Sequence, residues 1–478
     1  MPHTQAEDVG RVAVDGEGEV DMAADGFDGG RVVRFPRRKP DGAPPTGRVA
    51  RGTRLAAVPV AYMGRRVAGI GRRAAGRDAA TVEREIRHRT AEHLFQVLGE
   101  LKGCVAKLGQ LLGLLELGLA PDLAEPYSRA LARLHDSAPA MLPAAVHTEL
   151  ATHLGPRWRS LFLEFDDRAS AAASVGQVHR ARWHDGTPVA VKVMYPGARQ
   201  AVLADLSVLR RATPLFTALL PGAEIRPVIE ALCEEIGAEL DYSREAANLE
   251  HFRTALRHDP DVVVGRVIAQ RGDVLVTEWL DGIPLSRLIA RAEPAELDRL
   301  GVLILRFLFS APARASLIYG DPHPGNFLRM PDGRLGVVDF GACTPWTPAF
   351  LTVAGDVGAA VVAESVADLE AALRRHGYVA PGGDLDIATV AERLRPVREA
   401  LMSPTYPLSA DWLREQVRLA TDLSLSNILR QLTMPPADTP LLRSFLGGVA
   451  ILCQLQTAVP LRAECTRWYP ETAAAVGL

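Results

Sequence analysis

The chain has 478 residues, of which 48% are hydrophobic and 23% charged, a composition typical of a globular protein with cores to bury. Its 54 Lys and Arg against 57 Asp and Glu give a formal net charge of -3, so the overall charge predicts no nucleic-acid partner. Five cysteines without CxxC pairing or histidines at zinc spacing argue against a disulfide framework and a structural zinc site, and favour a reducing compartment.

Residues 1–80 are predicted to be a disordered tail followed by a basic neck. Gly, Pro, Asp and Arg dominate this segment without a sustained apolar period, so it lacks the apolar surface needed to fold alone. The start has no apolar signal core, and the longest uncharged run, near residues 444–461, is broken by Gly, Gln and Pro. We interpret that run as a buried helix and expect a cytoplasmic protein without a signal peptide or transmembrane helix.

The basic neck, an arginine-rich stretch over residues 48–89, includes LAAVPVAYMGRRVAGIGRR. A solvated basic linker is the favoured interpretation. Peripheral contact with a membrane surface or lipid is the alternative, because interfacial helices also mix apolar residues with paired arginines. No feature of the sequence identifies a protein partner.

Residues 81–155 are predicted to form an N-terminal helical module. Apolar residues recur there at helical spacing, namely Leu101, Val105, Leu108, Leu112 and Leu115.

A different pattern begins after Pro156, with short β-type runs that indicate an antiparallel sheet. The runs are SLFLEFDD, VGQVHRARW, PVAVKVMY and DVLVTEWL, and a helix carrying Ile229 and Ile236 lies between the last two. Residues 156–282 are predicted as one lobe. Residues 283–478 are predicted as a second, largely helical lobe, interrupted by a strand LGVVDFG. Together they indicate an α+β, two-lobed fold.

The strongest functional pattern is the stretch IYGDPHPGNFLRMPDGRLGVVDFG. Asp321 and Asn326 stand five positions apart in a predicted loop, and Asp339 ends a predicted strand within a DFG. Protein-kinase catalytic loops use this interval, because the three groups must converge on one phosphate-metal cluster. Asn326 and Asp339 are therefore predicted to hold Mg²⁺, and Asp321 to orient or deprotonate the nucleophile. The alternative interpretation is that these Asp and Asn residues simply form turns. It explains Asp332, but it does not explain a loop, a strand and a DFG in this order.

Lys192 lies within the apolar run PVAVKVMY, where an uncompensated ammonium group would be costly to bury. In the kinase geometry such a lysine binds the α- and β-phosphates and is held by a glutamate on a nearby helix. Glu245 is predicted as that glutamate, with Glu239 as its rival, and an inert edge-strand lysine is the alternative. The strand DVLVTEWLDG is predicted as the hinge, where backbone groups around Glu278 and Leu280 meet the adenine.

No GxGxxG precedes Lys192, and ASAAASVGQVHRA stands in its place. Alanine carries a Cβ atom and takes positive φ less easily than glycine, so a loop through Ala171, Ala172 and Ala173 is predicted to enclose phosphates differently. Weak or specialised phosphoryl transfer follows from that difference. An ordinary small-residue hairpin is the alternative interpretation.

Taken together, AAASVGQVHRA, VAVKV, ELDYSREAANLE, GDPHPGNF and VVDFG resemble the UbiB/AarF family of atypical protein-kinase-like proteins, whose mitochondrial members are the ADCK proteins. The match covers roughly residues 95–345. The family's KxGQ motif is matched by Lys107 and Gln110, which share a helix face. Its ExD pair is matched by Glu239 and Asp241. In the family these two motifs pack over the nucleotide site, where a peptide substrate would otherwise dock.

The resemblance also implies site residues and a function. Lys192 pairs with Glu245, the alanine-rich loop over ATP includes Ala173 and Ser174, and Asp321, Asn326 and Asp339 handle catalysis and Mg²⁺. The implied activity is that of an ATP-dependent (or ADP-binding) kinase or ATPase acting on a small or lipid-like acceptor, with a link to ubiquinone (prenyl-quinone) biosynthesis.

Two further considerations qualify that implied activity. Tyr319 and Gly320 stand where protein kinases have His-Arg before the catalytic Asp, so a phosphorylation-switched protein kinase is not expected. The alternative function is a nucleotide-gated scaffold that binds lipids or partner proteins without phosphoryl transfer.

Overall fold

The computed structural model describes residues 141–173, 175–219, 225–379, 382–383, 385–421, 432–433, 435 and 438–478. All of these residues fall in one compact unit. The predicted tail over residues 1–80 lies outside the described residues, as do the predicted helices before residue 141, with Lys107 and Gln110, and the single position Ser174.

The first half of the described chain alternates helices with one main sheet. Its helices are α1 Pro143–Leu154, α2 Ala198–Leu219, α3 Ile225–Ala238 and α4 Tyr242–Ala255, with a 3-10 turn at Trp158–Leu161. Its strands are β1 Phe162–Ala173, β2 Gly176–Trp183, β3 Pro188–Met194, β4 Val262–Val264, β5 Val267–Arg271 and β6 Val274–Glu278.

The main sheet is antiparallel, with strand order β1-β2-β3-β6-β5. Because side chains alternate along a strand, Val189, Val191 and Val193 of the central strand β3 share one face and are fully buried. That face packs against Val146 and Leu150 of α1, so the end of the predicted helical module contributes to the core of this sheet. Lys192 belongs to the opposite face.

The second half is mainly helical. Its helices are α5 Leu285–Leu288, α6 Pro294–Ala315, α7 Ala349–Val362, α8 Val366–Arg375, α9 Ile387–Met402, α10 Ala410–Thr421, α11 Thr439–Gln454, α12 Leu461–Trp468 and α13 Pro470–Val476. Its strands are β7 Ile283–Pro284, β8 Leu317–Tyr319, β9 Phe327–Arg329, β10 Leu335–Val337, β11 Cys343–Pro345, β12 Tyr406–Pro407 and β13 Ala458–Val459.

A cluster of buried aromatic rings holds the two predicted functional loops against the helices. Phe252 of α4 contacts Phe307 of α6, and both contact Tyr319, which directly precedes the Gly320-Asp321 loop. Phe340 of the DFG packs on Phe252 and Tyr319 with ring centroids 5.0 and 5.7 Å away. Such pairs add to ordinary apolar burial, so the loops are anchored by rings on both sides of the polar residues.

The predicted α+β fold is confirmed by this architecture, while several details differ. Helix α2 and the strands β4 and β5 were not predicted, and neither were the short strands β7, β8, β9 and β11 of the second lobe. Strand β10 ends at Val337, two residues before Asp339. The predicted buried helix near residues 444–461 is α11, which ends at Gln454 and leaves Phe445 58% exposed.

Within the described ranges, no helix combines the length and apolar character needed to cross a membrane.

Candidate functional site

Lys192 and Glu245 form a tight ion pair between the sheet and α4. The Lys192 Nζ donates to Glu245 Oε1 at 2.7 Å and to Oε2 at 2.9 Å. Glu245 lies in the first turn of α4, whose N-terminus is capped by the Asp241 carboxylate accepting from the Ser243 N–H. The cap fixes where the helix begins and therefore where Glu245 points. Glu245, and not its rival Glu239, is the glutamate in contact with Lys192.

A second carboxylate completes this cluster. The Lys192 Nζ also donates to Asp339 Oδ2 at 3.2 Å, and the Tyr242 ring centroid lies 5.2 Å from the ammonium. Burial alone would lower the pKa of Lys192, but Asp339 and Glu245 together raise it well above its usual value. One ammonium group thus lies between two carboxylates. Burial of Glu245, with Asp339 nearby, raises the pKa of Glu245 to about 7 although Lys192 opposes that shift.

The backbone at the DFG holds Asp339 in a special conformation. Asp339 has φ +63°, a left-handed value that few residues other than glycine adopt. Its Oδ1 accepts from the Gly341 N–H at 3.2 Å, and the Asn248 amide of α4 donates to the Phe340 carbonyl at 2.9 Å. Strained backbone that is held by its surroundings is common at functional sites. These bonds direct the Asp339 carboxylate toward Lys192.

Asp321 and Asn326 are joined within their loop. The Asn326 side-chain amide donates to the Asp321 carbonyl at 3.1 Å and lies 3.4 Å from Asp321 Oδ2. The Asn326 carbonyl accepts from the Val338 N–H at 3.0 Å, one residue before Asp339. The structure therefore connects all three predicted residues through the Asp321–Asn326 loop and the DFG segment.

Arg443 is a site residue that the sequence analysis missed. It lies on α11, with its side chain only 10% exposed, and its Nη2 is 3.7 Å from Glu239 Oε1 and 3.6 Å from Asp321 Oδ1. The next residue, Ser444, donates its hydroxyl to the Tyr319 carbonyl at 2.7 Å. These contacts fix α11 against the Asp321 loop. The available sequence signal was one charged residue in the apolar stretch PLLRSFLGG.

Arg443→Met is expected to lower the free energy of unfolding by about 1–3 kcal/mol, because it leaves two acidic side chains close together in a largely buried place. Urea denaturation measures the change. Arg462→Met, on an exposed position of α12, is the matched control and should stay within about 0.5 kcal/mol of wild type. Equal midpoints for the two variants would show that the Arg443 contacts contribute nothing.

The residues of the ExD pair have different surroundings. Glu239 is 9% exposed and lines a small cleft together with Val175, Lys192, Glu245, Asp339 and Gly341. Asp241 is exposed and serves as the N-cap of α4, where the Ser243 hydroxyl and N–H lower its pKa. Glu239 is thus part of the polar cluster, whereas Asp241 acts on it through the helix.

The predicted phosphate loop is a strand for most of its length. Ala169, Ala171, Ala172 and Ala173 lie in β1 and pair with residues 176–179 of β2, so Ala173 stands at the tip of a hairpin. A Cβ atom on Gly176 would lie 2.3 Å from the Val193 carbonyl, which explains glycine there.

The predicted hinge follows β6 directly. Glu278 pairs with Val189 of β3, and the Trp279 N–H donates to the Pro188 carbonyl at 2.9 Å. The Leu280 N–H makes no backbone hydrogen bond to another described residue.

The oxygen atoms of the site suit Mg²⁺. No group of three or more His, Cys, Asp or Glu among the described residues could hold a metal by itself. Mg²⁺ rarely needs such a group, because it usually takes one or two protein ligands together with phosphate oxygens and water. The Asp339 carboxylate and the Asn326 amide oxygen are ligands of that kind.

Comparison with known proteins gives consistent matches. The ABC1 atypical kinase-like domain family matches residues 133–363. The mitochondrial atypical kinase COQ8 of Schizosaccharomyces pombe is 30% identical over 271 residues, 56% of this chain and 43% of that protein. The chloroplastic protein ACTIVITY OF BC1 COMPLEX KINASE 1 of Arabidopsis thaliana is 29% identical over 64% of this chain and 45% of its own. The chain thus spans about half the length of these relatives.

A solved structure agrees with these matches. The complex of Rv3197 with erythromycin from Mycobacterium tuberculosis aligns with a TM-score of 0.62 and 35% identity, over 83% of this chain and 100% of that one. The predicted kinase-like fold is thereby confirmed.

Proposed function

The chain belongs to the UbiB/AarF family of ABC1 atypical kinase-like proteins, and from this premise we propose that it binds ATP with Mg²⁺ and transfers the γ-phosphoryl group to a small or lipid-like acceptor or to water. The observation that supports the proposal best is the Lys192 ammonium, held at once by Glu245 of α4 and Asp339 of the DFG. Kinase sites require both a lysine–glutamate ion pair of this kind and a metal-binding aspartate in the DFG.

Each residue then has a role that its surroundings support. Lys192 donates to the α- and β-phosphates, with Glu245 fixing its position, and the Leu280 N–H meets the adenine beside Glu278. Asp339 and Asn326 hold Mg²⁺, which neutralises charge on the phosphates when bound. Asp321 accepts the proton of the attacking hydroxyl or water as the new P–O bond forms and ADP leaves with the electrons of the bond that breaks.

One arrangement of side chains favours a small acceptor over a protein. Glu239 and Arg443 occupy the space beside Asp321, with each side chain at most 10% exposed, so little room is left for a peptide on that side. A role near quinone or lipid metabolism is carried by the family resemblance alone, and contact of the basic neck with a membrane stays a prediction. The alternative, a nucleotide-gated scaffold, shares the binding residues but needs no proton acceptor.

Stabilisation by nucleotide tests the binding step. At a nucleotide concentration about a hundred times Kd, mass action adds about 2.7 kcal/mol to the free energy of unfolding. Urea denaturation with ATP or ADP, with and without Mg²⁺, should show this gain in wild type. Asp339→Asn should remove the part that depends on Mg²⁺.

Asp332→Asn is the matched control for this experiment, because Asp332 lies in an exposed turn and bonds to Arg334. It should retain the full gain with Mg²⁺. The absence of any shift with either nucleotide in wild type would overturn the proposal.

A further inference from the structure

Two polar side chains are buried on the face of the main sheet that points away from Lys192. Gln177 and His179 lie two residues apart on β2, 1% and 0% exposed, and therefore share one face of the strand. Val178, between them, pairs with Lys192 and shares its face. Neither Gln177 nor His179 can reach the candidate nucleotide site directly. Most buried polar side chains have at least one hydrogen-bond partner, so the partners of this pair indicate how it is held.

The hydrogen bonds of this pair run in one direction. The Met141 N–H donates to Gln177 Oε1 at 2.8 Å, so the Gln177 amide nitrogen faces His179 Nε2, also at 2.8 Å. His179 Nδ1 lies 2.8 Å from the Asp166 carbonyl, which can only accept. His179 is therefore neutral, with its proton on Nδ1 and a lone pair on Nε2. Each group in this relay from Met141 to Asp166 has a partner of the opposite kind.

The two ends of the relay lie on different parts of the chain. Met141 lies two residues before α1, the helix that packs on the same face of the sheet. Asp166 lies on β1, and Gln177 and His179 themselves pair with Ala172 and Ala169 of the alanine-rich part of that strand. The relay is thus a polar connection between the segment leading into α1 and the hairpin whose tip is at Ala173.

We propose that Gln177 and His179 are positioning residues that couple the segment leading into α1, at Met141, to the alanine-rich hairpin, so that the two move together. An effect of this coupling on catalysis rests on the proposed function, because the hairpin can cover a nucleotide only if the proposed site binds one. In this proposal Gln177 and His179 touch neither nucleotide nor acceptor. They set the position of the hairpin backbone, which would contact the nucleotide.

Protonation of His179 would disconnect the relay. A second proton on Nε2 would face the Gln177 NH₂ group, and rotating that amide by 180° would place the same NH₂ against the Met141 N–H. Burial lowers the pKa of His179, and His147 on α1 adds to this effect. The Asp166 carbonyl and the charges of Asp166 and Asp167 on β1 act in the opposite direction. The connection is therefore intact near neutral pH and is lost as the pH falls through that lowered pKa.

Hydrogen exchange of the nucleotide-free full chain tests the coupling. Gln177→Leu should reduce the protection factors of Met141 and of residues 166–173 together, by about ten- to hundredfold, because Met141 loses its acceptor and His179, which bonds to Asp166, loses its donor. Val274→Ala, on β6 in the core on the same face of the sheet, is the control for general destabilisation. It should lower protection across the lobe without a particular loss at Met141. A loss in Gln177→Leu at only one end, or equal profiles in the two variants, would overturn the proposal.

A pH series separates positioning from simple packing. In wild type the protection factor of Met141 should fall as acid protonates His179, and His179→Phe, which keeps a flat ring beside Phe165, should abolish that step while Met141 stays bonded to Gln177. An unchanged pH profile in His179→Phe would contradict the mechanism. Added Mg-ATP gives an independent reading. If wild type binds no nucleotide, the proposed function fails, whereas the nucleotide-free comparison still decides the coupling.

Discussion

Asp321→Asn is expected to lower the rate of phosphate release by about 10²- to 10⁴-fold, the usual contribution of a positioned general base. The substitution keeps the size of the side chain and a carbonyl oxygen near the Asn326 amide, but it removes the group that takes the proton. Nucleotide affinity should stay within a few-fold of wild type, because Lys192, Asn326 and Asp339 are intact. Phosphate release and nucleotide titration on the same preparation measure the two effects separately.

The control for this prediction is again Asp332→Asn, which makes the same chemical change in an exposed turn and should release phosphate at the wild-type rate. Anionic liposomes and quinone precursors should be included, since the acceptor is proposed to be small or lipid-like. Wild-type protein that binds nucleotide but releases no phosphate under any of these conditions would favour the scaffold. Equal rates in wild type and Asp321→Asn would remove Asp321 from the proposed mechanism.

The residues that could be predicted from the sequence lie in short, self-contained patterns. Asp321, Asn326 and Asp339 fall within nineteen positions, and the loop and hairpin that join them are set by local turns. Lys192 was recognisable because a charged residue in a run of buried valines needs a partner. Glu245 could be named only as the better of two candidates, since the choice depends on where α4 begins, which the Asp241 cap decides.

Features that depend on distant segments could not be predicted. Arg443 reaches Asp321 from a helix more than a hundred positions later, and no local pattern connects them. The Gln177–Met141 contact joins segments 36 positions apart through a buried amide. Strands of two or three residues, such as β7 and β8, are too short to show a period. The alanine-rich stretch was predicted as a loop, although pairing with β2 makes it a strand through Ala173.

Lys192→Met is expected to lower the free energy of unfolding by about 3–5 kcal/mol, because it leaves Glu245 buried without its cation. The Glu245 side chain is only 4% exposed, and within the described ranges it forms an ion pair with Lys192. Glu245→Leu should lower the free energy of unfolding by less, because Lys192 still has the Asp339 carboxylate as a partner at 3.2 Å. The Asp339 side chain is 30% exposed, so this remaining pair is partly hydrated. Urea denaturation at pH 8, above the raised pKa of Glu245, measures both variants.

The double variant Lys192→Met/Glu245→Leu separates stability from function. Replacing both buried charges by apolar groups of similar volume is often neutral or stabilising, so most of the lost free energy should return. Nucleotide affinity should not return, because the ammonium that meets the phosphates is still missing, and a charged hydrogen bond is worth about ten- to a hundredfold in affinity. A double variant that binds Mg-ATP like wild type would show that Lys192 is held between Glu245 and Asp339 for the fold alone. Weak binding by a stable double variant would instead locate its function at the phosphates.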